Sequence, residues 1–574
     1  MKITTAALLL KYLKAEGADY IFGVPGTSLV PIYNAINNLG IIKPILAKHE
    51  EGAAFMADGY ARVSGKIGVC YGTSGPGATN LVTGVATAYM DAVPMLVITG
   101  QVPTSMYGKG TFQDSTKDGI DSVAMFEPMT KYSSMIMSKY KVPDVIKEAL
   151  RIALSGKQGP VHISFPKDIM EAEIEEDLLP PKVYRVKPEY FDRKLVIEAV
   201  TKLVKAKRPA MLVGSGVVSS GATEQVLELA EMLNIPAATT PKAKGAFPEN
   251  HDLSLGLLGL AGSPAAEEYL LNSGVDVLLV VGSSLNQMTT FSWDPRLMPS
   301  DCLIQINIDP AEIGKNYPAH IGLVGDCRTV LDEMLFRILK EVNEHDPKED
   351  RPLTGVMEFK QKAGMFLDKE KMYSEAVPLK PQAMMRELQE ALPKNTIVFL
   401  DIGNSLCWGT HYLRFDQPNC ISAYGLLTMG HGLAASIGGK LAAPDRPVVC
   451  LAGDGCFQMN GMEIATAVNY DVPVIWIIQN NSRLGLVHEL QRFSLGEKTV
   501  STKFKRIDCA KVAEGLGARG YHVEKPGELK KAVADALQNN KPAVIDCIID
   551  PDEVPPIHRW AKSIGAANAR LDYL

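Results

Sequence analysis

The chain has 574 residues, of which 46% are hydrophobic and 22% are charged, a balance typical of a globular protein with about three or four domains. Its 59 basic and 65 acidic residues give a formal net charge of −6 without a long basic run, so we expect no nucleic acid and no anionic membrane as a partner. Apolar runs stay short of the roughly 20 residues that span a bilayer, which argues against a membrane protein.

Nine cysteines are scattered along the chain without CxxC spacing, and several lie inside apolar, strand-like runs. Reduced thiols in a reducing compartment explain that placement better than disulfides do. The start, MKITTAALLLKYLKAEGADY, has the period of an amphipathic helix and contains no small-residue cleavage site. We therefore expect a cytoplasmic protein.

Three α/β segments are predicted at residues 1–175, 190–343 and 379–555, and a less regular tail covers 556–574. Charged, proline-containing joints (EEDLLPPKVYRVKPEY and NEHDPKEDRPLTG) separate the segments. Strands such as KIGVCYG, DVLLVVGSS and PVIWIIQNN are continuously apolar and alternate with helical stretches. That pattern predicts parallel sheets that are covered by helices on both faces.

In the first segment, Glu50 follows the strand-like run KPILAKH and opens an Ala-rich helix. A carboxylate at this place is favoured by the helix dipole, whatever its function. The strand KIGVCYG then leads into TSGPGATN, a turn rich in Gly and Pro between a strand and a helix. The third segment contains a comparable turn, LAGDGCFQMN, which indicates that the two outer segments are related.

In the third segment, the stretch from Leu451 to Asn481 carries the most informative pattern. Asp454 and Asn481 end two predicted parallel strands, where open α/β sheets form their ligand crevice. Their oxygen atoms suit Mg²⁺, and the glycines around Asp454 let the backbone approach a phosphate at a helix N-terminus. The pattern indicates a metal-bridged diphosphate, although Gly-Asp-Gly is also ordinary turn chemistry.

Together, Glu50, TSGPG, Gly-Asp-Gly and the paired asparagines resemble the thiamine diphosphate-dependent decarboxylase and carboligase superfamily, over nearly the whole chain. Within it the chain is most similar to acetolactate synthases, which are grouped with pyruvate oxidases and 2-hydroxyacyl-CoA lyases. The resemblance implies an α/β fold of three doubly wound parallel-sheet domains. These are an N-terminal pyrimidine-binding domain, a middle Rossmann-like domain and a C-terminal diphosphate-binding domain.

The resemblance assigns three residues to the organic part of the cofactor. Glu50 would hydrogen-bond the pyrimidine ring and so promote removal of the C2 proton of the thiazolium ring. Met429 would hold the cofactor bent, and the Leu427 carbonyl would accept a hydrogen bond from its amino group. Without the resemblance, Met429 would be predicted to be a core residue, as most methionines are.

The resemblance assigns a second set of residues to the metal and the diphosphate. Asp454 and Asn481 would bind Mg²⁺, together with the backbone carbonyl of Arg483. The other cofactor-binding positions that the resemblance implies are Thr73, Gly75, Pro76, Asn80, Gly403, Asn404, Ser405, Gly453, Gly455, Cys456, Leu484 and Gly485. Positions 403–405 match a loop that usually reads Gly-Gln-His in the family.

Positions on the substrate side are expected around the cofactor. Phe112 and Gln113 match a pair that acetolactate synthases place near the reacting ketone, and Gln113 would orient an acceptor or stabilise developing charge on oxygen. Thr27, Val487 and His488 are expected to line the substrate pocket. For His488, a position on the solvent side of its helix is equally open.

Three replacements distinguish the chain from acetolactate synthases. Leu490, also expected in the substrate pocket, stands where those enzymes usually carry a Trp that favours 2-ketobutyrate as acceptor. Gln287 replaces an arginine of their middle domain, and Glu51 replaces a Gln beside the catalytic glutamate. The first two replacements argue against a dedicated enzyme of branched-chain amino-acid biosynthesis, whereas the role of Glu51 stays open.

The middle domain resembles a nucleotide-binding domain in part. VGSGVVSSGA is similar to the loop with which relatives bind FAD or ADP, and GLAGS and NIDPAEIGKN fall where a nucleotide would be contacted. The loop does not read GxGxxG, and Asn307 replaces a more usual acidic residue. FAD, ADP and a purely structural domain therefore all stay open.

These expectations describe an acetolactate synthase-like enzyme. It would decarboxylate a 2-oxo acid, pyruvate first, and join the remainder to a second carbonyl group as a 2-hydroxy ketone. The alternatives are a 2-hydroxyacyl-CoA lyase or oxalyl-CoA decarboxylase, for which Arg559 and Arg570 in the tail argue, a pyruvate oxidase, and a non-catalytic homologue. The intact Glu50, Asp454 and Asn481 argue against the last of these.

The expected assembly follows from the resemblance. Glu50 and Asp454 lie on different domains, yet both must reach one cofactor. In the family they come from different subunits, so we expect an obligate homodimer, paired into a homotetramer. A small regulatory subunit is a further partner that the resemblance allows.

Overall fold

The computed structural model of the chain describes residues 2–185, 190–341, 348–349, 351–496 and 498–565. Three six-stranded parallel sheets with flanking helices follow one another along it. This arrangement confirms the α/β fold of three doubly wound sheets. The expected end of the middle segment at residue 343 and the tail residues 566–574, with Arg570, lie outside the described residues.

The N-terminal unit contains β1 (Lys2–Thr4), β2 (Tyr20–Gly23), β3 (Lys43–Leu46), β4 (Gly68–Gly72), β5 (Met95–Gln101), β6 (Ser133–Met135), β7 (Pro160–Pro166) and β8 (Glu173–Glu175). The parallel sheet has the order β3-β2-β4-β5-β7-β6, and β1 pairs antiparallel with β8. The α-helices are Thr5–Ala15, Val30–Leu39, Glu50–Ser64, Pro76–Asn80, Val82–Met90, Ser122–Phe126, Val142–Leu154, Lys167–Glu171 and Pro181–Tyr184. Single 3₁₀ turns lie at Thr27–Leu29, Thr104–Met106, Glu127–Met129 and Lys139–Lys141.

The middle unit contains β9 (Ala210–Val213), β10 (Ala237–Thr239), β11 (Ser254–Leu257), β12 (Val277–Val281), β13 (Cys302–Asn307) and β14 (Ile321–Val324), in the sheet order β11-β10-β9-β12-β13-β14. Its α-helices are Arg193–Lys205, Ser215–Ser220, Thr223–Leu233, Pro264–Asn272, Gln287–Thr290 and Cys327–Glu341. 3₁₀ turns lie at Pro241–Ala243, Pro295–Leu297 and Pro310–Glu312. The helix Leu353–Ala363 and the 3₁₀ helix Lys369–Tyr373 lead to the next unit.

The C-terminal unit contains β15 (Ile397–Leu400), β16 (Cys420–Ile421), β17 (Val448–Gly453), β18 (Val474–Asn480), β19 (Arg519–Val523) and β20 (Ala543–Ile548), in the sheet order β16-β15-β17-β18-β20-β19. Its α-helices are Pro381–Ala391, Asn404–Tyr412, His431–Ala442, Asp454–Asn460, Ile464–Asn469, Gly485–Leu495, Cys509–Gly515, Glu528–Asn539 and His558–Ser563. A 3₁₀ turn, Gly461–Glu463, connects two of these helices.

The central strands explain why the chain folds into covered parallel sheets. All residues of β5, β12 and β18 are buried, because helices lie on both faces of each sheet. Their continuous apolar sequence is therefore the expected one for a central parallel strand. None of the described helices has the length and apolar character needed to cross a membrane.

Each sheet contains a strand from which the chain first continues to one side and later to the other. In the N-terminal sheet, β3 lies on one side of β2 and β4 on the other; in the middle sheet, β10 and β12 flank β9; in the C-terminal sheet, β16 and β17 flank β15. Loops at the carboxyl ends of the strands diverge at such points and leave a crevice. The fold therefore offers three crevices, one for each domain.

The outer domains pack against each other through two helices. Glu50–Ser64 of the N-terminal domain crosses His431–Ala442 of the C-terminal domain at very short range. Glycines make this approach possible, since a side chain at Gly59 or Gly438 would overlap the backbone of the facing helix. Glu50 is the first residue of one of these helices, so the packing of the two domains bears directly on its position.

A buried chain of charges crosses the same contact. Asp58 accepts a hydrogen bond from Arg62 Nε at 2.6 Å and lies 2.7 Å from His431 Nε2 of the C-terminal domain. Arg62 also binds Asp91 at 2.8 Å, and Asp91 pairs with Lys242 of the middle domain at 2.5 Å. An ion pair with the middle domain and a close Asp58–His431 contact with the C-terminal domain thus join the three domains.

The described part of the tail docks on the middle domain. Arg559 pairs with Glu267, and its guanidinium lies over the ring of Phe291, 5.3 Å from the ring centre. The side chain of Arg559 is therefore occupied within the chain. This removes one of the two arginines that argue for a CoA substrate, while the other, Arg570, lies outside the described residues.

Candidate active site

The first cluster lies at the carboxyl edge of the N-terminal sheet and is centred on Glu50. Glu50 begins its helix shortly after β3, and only 7% of the residue is exposed. Its Oε2 accepts a hydrogen bond from Asn80 Nδ2 at 2.9 Å. A Cβ at Gly77 would lie 3.2 Å from Oε1, so this loop closes tightly on the carboxylate. The structure thus brings Glu50 and the TSGPGATN turn together.

The loop after β2 holds the TSGPG turn in place. Thr73 Oγ1 lies 2.9 Å from Ser28 Oγ, and Ser28 Oγ also accepts from the backbone N–H of Ser74 at 3.2 Å. Gly75 has a φ of +72°, and its N–H donates to Ser115 Oγ at 2.9 Å. The left-handed conformation explains the glycine at this position. Pro76 then starts the helical turn that ends at Asn80.

The predicted substrate residues of this half form an open rim. Gln113 has a φ of +56°, which costs a residue other than glycine about 1–3 kcal/mol and is a recurrent property of functional sites. Its Cβ would lie 3.2 Å from a Cβ at Gly75. Phe112 is 77% exposed, and Thr27 is exposed as well. The rim therefore faces outward from the chain.

The second cluster lies at the carboxyl edge of the C-terminal sheet and is centred on Asp454. Asp454 begins a helix directly after β17 and is 1% exposed. Its Oδ1 accepts from the Gly455 N–H at 2.9 Å and its Oδ2 from the Ser482 N–H at 2.6 Å. Burial raises the pKa of Asp454 to about 7, although these N–H groups favour the ionised form.

Asn481 and Asn404 meet beside Asp454 over a glycine. Asn481 follows β18, and Asn404 begins a helix after β15. A Cβ at Gly485 would lie 2.5 Å from Asn404 Nδ2 and 3.2 Å from Asn481 Nδ2, so a larger residue would displace the Asn404 amide. The Oδ1 atom of Asn404 is buried, and no described residue hydrogen-bonds to it. An unsatisfied buried amide oxygen at this place indicates a missing ligand.

Leu484 and Met429 close over the turn that carries Asp454. A Cβ at Gly455 would lie 2.6 Å from Leu484 Cδ2 and 3.3 Å from Met429 Cε. A larger residue at position 455 would push the end of the Leu484 side chain away. Met429 is half-buried and packs at the border of two hydrophobic clusters, so it is partly the core residue that its type alone predicts.

The loop before Met429 is strained and firmly held. Leu427 has a φ of +59°, a left-handed conformation that is uncommon for leucine. Thr428 Oγ1 lies 2.8 Å from Thr87 Oγ1 of the N-terminal domain. The N–H of Gly430 donates to Asp401 Oδ1 at 2.9 Å. These contacts fix the Leu427 carbonyl, which the sequence assigns to the cofactor, in a conformation that the chain would not adopt freely.

Three predicted cofactor residues use their side chains elsewhere. The Ser405 hydroxyl donates to a backbone carbonyl of the preceding loop at 3.0 Å, and the Cys456 thiol donates to the Ile402 carbonyl at 3.2 Å. The Arg483 guanidinium pairs with Asp552 at 3.1 Å. Any contact of these residues with a ligand would therefore come from the backbone, as the sequence already predicted for Arg483.

The helix Gly485–Leu495 carries the remaining substrate candidates. Val487 is 46% exposed and Leu490 is half-buried. His488 is 3% exposed, and its Nδ1 lies 2.8 Å from Thr502 Oγ1. The solvent-facing alternative for His488 is therefore wrong, because the ring turns inward toward the loop that precedes Lys503.

Residues of the C-terminal cluster fit a divalent cation and a diphosphate. A cation beside Asp454 would supply the positive charge that its buried, ionised carboxylate lacks. Amide oxygens of Asn481 and Asn404 are hard donors, and the N-termini of the helices at Asn404 and Asp454 favour an anionic group. The donor set is thus oxygen-rich and carries one acidic residue, as expected for Mg²⁺ bound together with phosphate oxygens.

The two clusters are assembled separately within one chain. The Glu50 carboxylate binds Asn80 of its own domain, and Asp454 is bonded by Gly455 and Ser482 of its own domain. Among the hydrogen bonds of the described residues, none joins Glu50 to Asp454. Each carboxylate is thus held by its own domain, and we call the two clusters half-sites.

A third crevice lies in the middle domain, between the loops after β9 and β12. It opens into a cavity of about 750 Å³, lined among others by Ser215, Gly282 and Asn307 of this domain. The VGSGVVSSGA loop and the start of NIDPAEIGKN thus border the cavity. GLAGS does not: the Ala261 and Gly262 carbonyls instead contact His411 of the C-terminal domain.

Sequence reasoning missed several residues that build the site. Asp401 is fully buried, receives the N–H groups of Ile402 and Gly430, and has a pKa raised by burial. Ser28 and Ser115 hold the TSGPG turn. For Asp401 the signal was present, since it is an acid at the carboxyl end of an apolar strand. The serines carry no pattern that separates them from other loop residues.

Three family models match the chain in order along its length. The N-terminal TPP binding domain of thiamine pyrophosphate enzymes matches residues 3–125, which include the Glu50 cluster. The central domain of these enzymes matches residues 196–334, and their C-terminal TPP binding domain matches residues 401–547, which include the Asp454 cluster. Thiamine pyrophosphate is another name for thiamine diphosphate.

Curated relatives are similar to the chain over almost its full length. A probable acetolactate synthase large subunit of Methanococcus aeolicus is 39% identical, covering 98% of this chain and 95% of that protein. A probable acetolactate synthase large subunit of Methanocaldococcus jannaschii is 38% identical, with 96% and 93% covered. The acetolactate synthase isozyme 3 large subunit of Escherichia coli is 34% identical, with 96% of each chain covered.

Proposed function

Because the chain belongs to the thiamine diphosphate-dependent enzymes, in the family of acetolactate synthase large subunits, we propose that it decarboxylates pyruvate and joins the two-carbon remainder to a second 2-oxo acid. The product is a 2-hydroxy ketone that retains the carboxylate of the acceptor, and CO₂ is released. The observation that carries this proposal is the pair of half-sites, one with a buried acid at a helix start and one with an oxygen-rich crevice.

The C-terminal half holds the cofactor. Asp454, Asn481 and the carbonyl of Arg483 would hold Mg²⁺, and Asn404 offers the amide oxygen that has no partner among the described residues. Gly453, Gly455 and Gly485 would let the backbone approach the diphosphate. Removing the metal with a chelator should release thiamine diphosphate, because the cation would supply positive charge to the anionic diphosphate.

The N-terminal half activates the cofactor. When bound, thiamine diphosphate supplies a carbanion equivalent and an electron sink. Glu50 would hydrogen-bond the pyrimidine ring, and its burial and its contact with Asn80 orient the carboxylate for that hydrogen bond. The Leu427 carbonyl would accept from the amino group, and Met429 would support the bent shape of the cofactor.

The open rim receives the substrates. Gln113 lies beside Gly75 in a strained conformation, which suits a residue that orients the second carbonyl group. Val487 and Leu490 supply apolar surface on the opposite half, and Phe112 supplies an exposed aromatic ring. Because Leu490 is smaller than the Trp usual at this position, the pocket should not favour the longer side chain of 2-ketobutyrate. Pyruvate should therefore be at least as good an acceptor as 2-ketobutyrate.

The proposed active unit is a homodimer in which Glu50 of one subunit completes the Asp454 half of the other. The separate assembly of the half-sites supports this, as does the exposure of Phe112, Met459 and Met462 near them. We further propose that two dimers associate into a tetramer and that a small regulatory subunit can bind. Native mass measurement of the purified chain, alone and with a co-expressed small subunit, tests both statements.

The middle crevice is proposed to bind an adenine-containing nucleotide, FAD or ADP. The cavity lies at the reversal point of a doubly wound sheet, where such folds bind nucleotides. Heat release of the bound nucleotide from purified protein, followed by mass spectrometry, distinguishes the two. If neither FAD nor ADP is recovered, and if adding FAD or ADP does not change the Tm, the middle domain is purely structural.

We place the protein in the cytoplasm, as a proposal that rests on its thiols. All nine cysteines are free, and eight of them are buried. Burial raises the pKa of Cys70, Cys450 and Cys547, which keeps these thiols protonated and unreactive. Such cysteines serve as core residues where reductants are abundant.

A substrate panel tests the proposed reaction. Purified protein with thiamine diphosphate and Mg²⁺ is offered pyruvate, 2-ketobutyrate, glyoxylate, oxalyl-CoA or a 2-hydroxyacyl-CoA, and the products are identified by mass. We expect a condensation product when pyruvate is the single substrate offered. This product should not form when either the cofactor or the metal is omitted. Turnover of only the CoA substrates would contradict the proposal.

A further inference from the structure

A buried glutamate of the C-terminal domain grips the backbone that leads into Glu50. Glu463 is 1% exposed and ends the 3₁₀ turn Gly461–Glu463. Its carboxylate accepts from the Lys48 N–H at 3.0 and 3.1 Å and from the His49 N–H at 3.0 Å. Lys48 and His49 are the two residues that precede Glu50, and they belong to a different domain of the same chain.

The neighbouring sequence is shaped around this carboxylate. A side chain at Gly52 would overlap Glu463 Oε1, so the helix that begins at Glu50 needs a glycine in its first turn. Thr466 Oγ1 donates to Glu463 Oε2 at 2.6 Å and supports the carboxylate from behind. These contacts, together with burial, give the carboxylate a single orientation.

The same segment also holds the residue after Glu50. Asn460 Nδ2 donates to Glu51 Oε2 at 3.4 Å. Asn460 and Glu463 therefore contact the chain on both sides of Glu50, while the Glu50 carboxylate itself binds Asn80. This gives Glu51, whose role the sequence left open, a place in domain docking.

We infer that Glu463 is a positioning residue for Glu50. The inference rests on the proposed function, in which Glu50 promotes removal of the C2 proton of thiamine diphosphate. The direction of the Glu50 side chain depends on how the backbone enters the helix, and Glu463 fixes that entry through two N–H groups. A displacement of about 1 Å can cost up to about a hundredfold in rate at a reacting centre.

The segment that positions Glu50 begins at the metal ligand. Asp454 starts the helix that ends at Asn460, and the turn to Glu463 follows without a break. Bound metal and diphosphate at Asp454 would stiffen the start of this segment. The other end of the segment, Glu463, holds the backbone before Glu50. In the proposed homodimer, that Glu50 contacts the cofactor bound by the second subunit.

The test compares Glu463→Gln with Glu387→Gln in the full-length enzyme. Glu387 is 3% exposed in the same domain and accepts from the Gly527 N–H at 2.6 Å, so it is a buried backbone acceptor remote from Glu50. Deuterium exchange at C2 of bound thiamine diphosphate is followed by quenched flow and proton NMR. Glu463→Gln should slow exchange and kcat by about tenfold or more, because its amide group turns a donor toward one of the two N–H groups.

Binding measurements distinguish an effect on the position of Glu50 from an effect on cofactor binding. Cofactor affinity and the KM for pyruvate should stay within about twofold for Glu463→Gln, since Asp454 and Asn481 are untouched. Glu387→Gln should lower the Tm similarly yet leave exchange within about twofold of wild type. Gly52→Ala should reproduce the slow exchange, because its methyl group displaces the Glu463 carboxylate without removing it, and this variant keeps the test informative if Glu463→Gln does not fold.

The outcomes are distinct. Slow exchange in both Glu463→Gln and Gly52→Ala, with normal exchange in Glu387→Gln, supports the inference. Exchange at the wild-type rate in Glu463→Gln, with a lowered Tm, would overturn it and leave Glu463 a structural residue, while the proposed function would stand. Absence of C2 exchange on the wild-type protein would overturn the proposed function itself, and the inference with it.

Discussion

The two half-sites differ in how completely one chain builds them. In the C-terminal half, Asp454 is 1% exposed, and Gly485 lies against the side chains of Asn404 and Asn481. In the N-terminal half, Glu50 is buried, but the rim beside it is open, with Phe112 77% exposed. The Asp454 cluster is enclosed within one chain, whereas the rim beside Glu50 is left uncovered by it.

The difference follows from what each half must do. A divalent cation and a diphosphate need several fixed oxygen atoms and N–H groups, which one sheet edge can supply. Activation needs a single carboxylate in a dry environment, and water can be excluded only when a second surface covers it. The comparison therefore predicts that variants of the two halves fail in different ways, one in turnover and the other in binding.

The largest effect is expected from Glu50→Gln. The amide cannot stabilise positive charge on the pyrimidine ring, so kcat should fall by about 10²- to 10⁴-fold, the usual range for a lost acid–base group. Cofactor binding should change little, because Asn80 can still pair with the amide oxygen. Steady-state kinetics and calorimetry measure the two quantities on one sample.

Glu51→Gln is the matched comparison for this variant. Its carboxylate contacts Asn460 rather than Asn80, and a glutamine can keep that hydrogen bond. The loss of kcat should be far smaller than for Glu50→Gln. Equal losses in both variants would mean that Glu50 has no special part in the reaction.

Asp454→Ala should break the other half. Removal of this proposed metal ligand should weaken binding of Mg²⁺ and thiamine diphosphate by about a hundredfold or more, above the range for residues that only support a ligand. Calorimetric titration of the cofactor in the presence of Mg²⁺ checks this. Asp471→Ala, on the exposed surface of the same domain, is the control and should bind normally. Normal binding by Asp454→Ala would refute the metal assignment.

The junction between the halves should determine acid stability. Burial raises the pKa of Asp58, but Arg62 and His431 more than offset this and hold it at about 2, below the ordinary 3.8. The folded state therefore gains stability from Asp58 above about pH 4, and that gain is lost as the pH falls toward 2. Asp58→Asn should lower the free energy of unfolding near neutral pH by about 3 kcal/mol, because Arg62 and His431 lose a buried partner.

Urea unfolding across the acid range measures this effect. The wild-type curve should fall between about pH 4 and pH 2 more steeply than the curve of Asp58→Asn. Parallel curves for the two proteins would show that the ion pairs across the junction do not contribute.

The smallest effect is expected from Leu490→Trp, on the helix Gly485–Leu495 of the C-terminal domain. A larger side chain there should raise the preference for 2-ketobutyrate over pyruvate as acceptor by about tenfold, the lower end of the range for one added methylene in an apolar pocket. Product ratios from a mixture of both acceptors measure the preference. Leu495→Trp, at the exposed end of the same helix, should leave the ratio unchanged. A Leu490→Trp ratio equal to that control would place Leu490 outside the pocket.

The sequence predicts those parts of the site that lie at strand ends. Asp454, Asn481 and the TSGPG turn follow continuously apolar strands, and the parallel fold brings each group to one sheet edge. The inward turn of His488 could not be predicted, because it depends on Thr502 in a loop that shows no periodic pattern.

Contacts between domains were beyond prediction for a different reason. Glu463 meets Lys48 and His49 across more than four hundred positions, and the match between Gly52 and its carboxylate is visible only in space. The contact of the GLAGS segment with His411 of the C-terminal domain is likewise visible only in space. Local pattern fixes which residues end a strand, whereas packing of domains decides what those residues touch.

Co-expression of Glu50→Gln with Asp454→Ala tests the central claim most directly. Each variant alone should be inactive, yet a mixed dimer contains one site that combines an intact Glu50 with an intact Asp454. With random pairing about half of the dimers are mixed, and each mixed dimer has one intact site out of two. Activity should therefore return to about a quarter of that of the wild type. Activity that stays at the level of the separate variants would contradict a site shared between two copies of the chain.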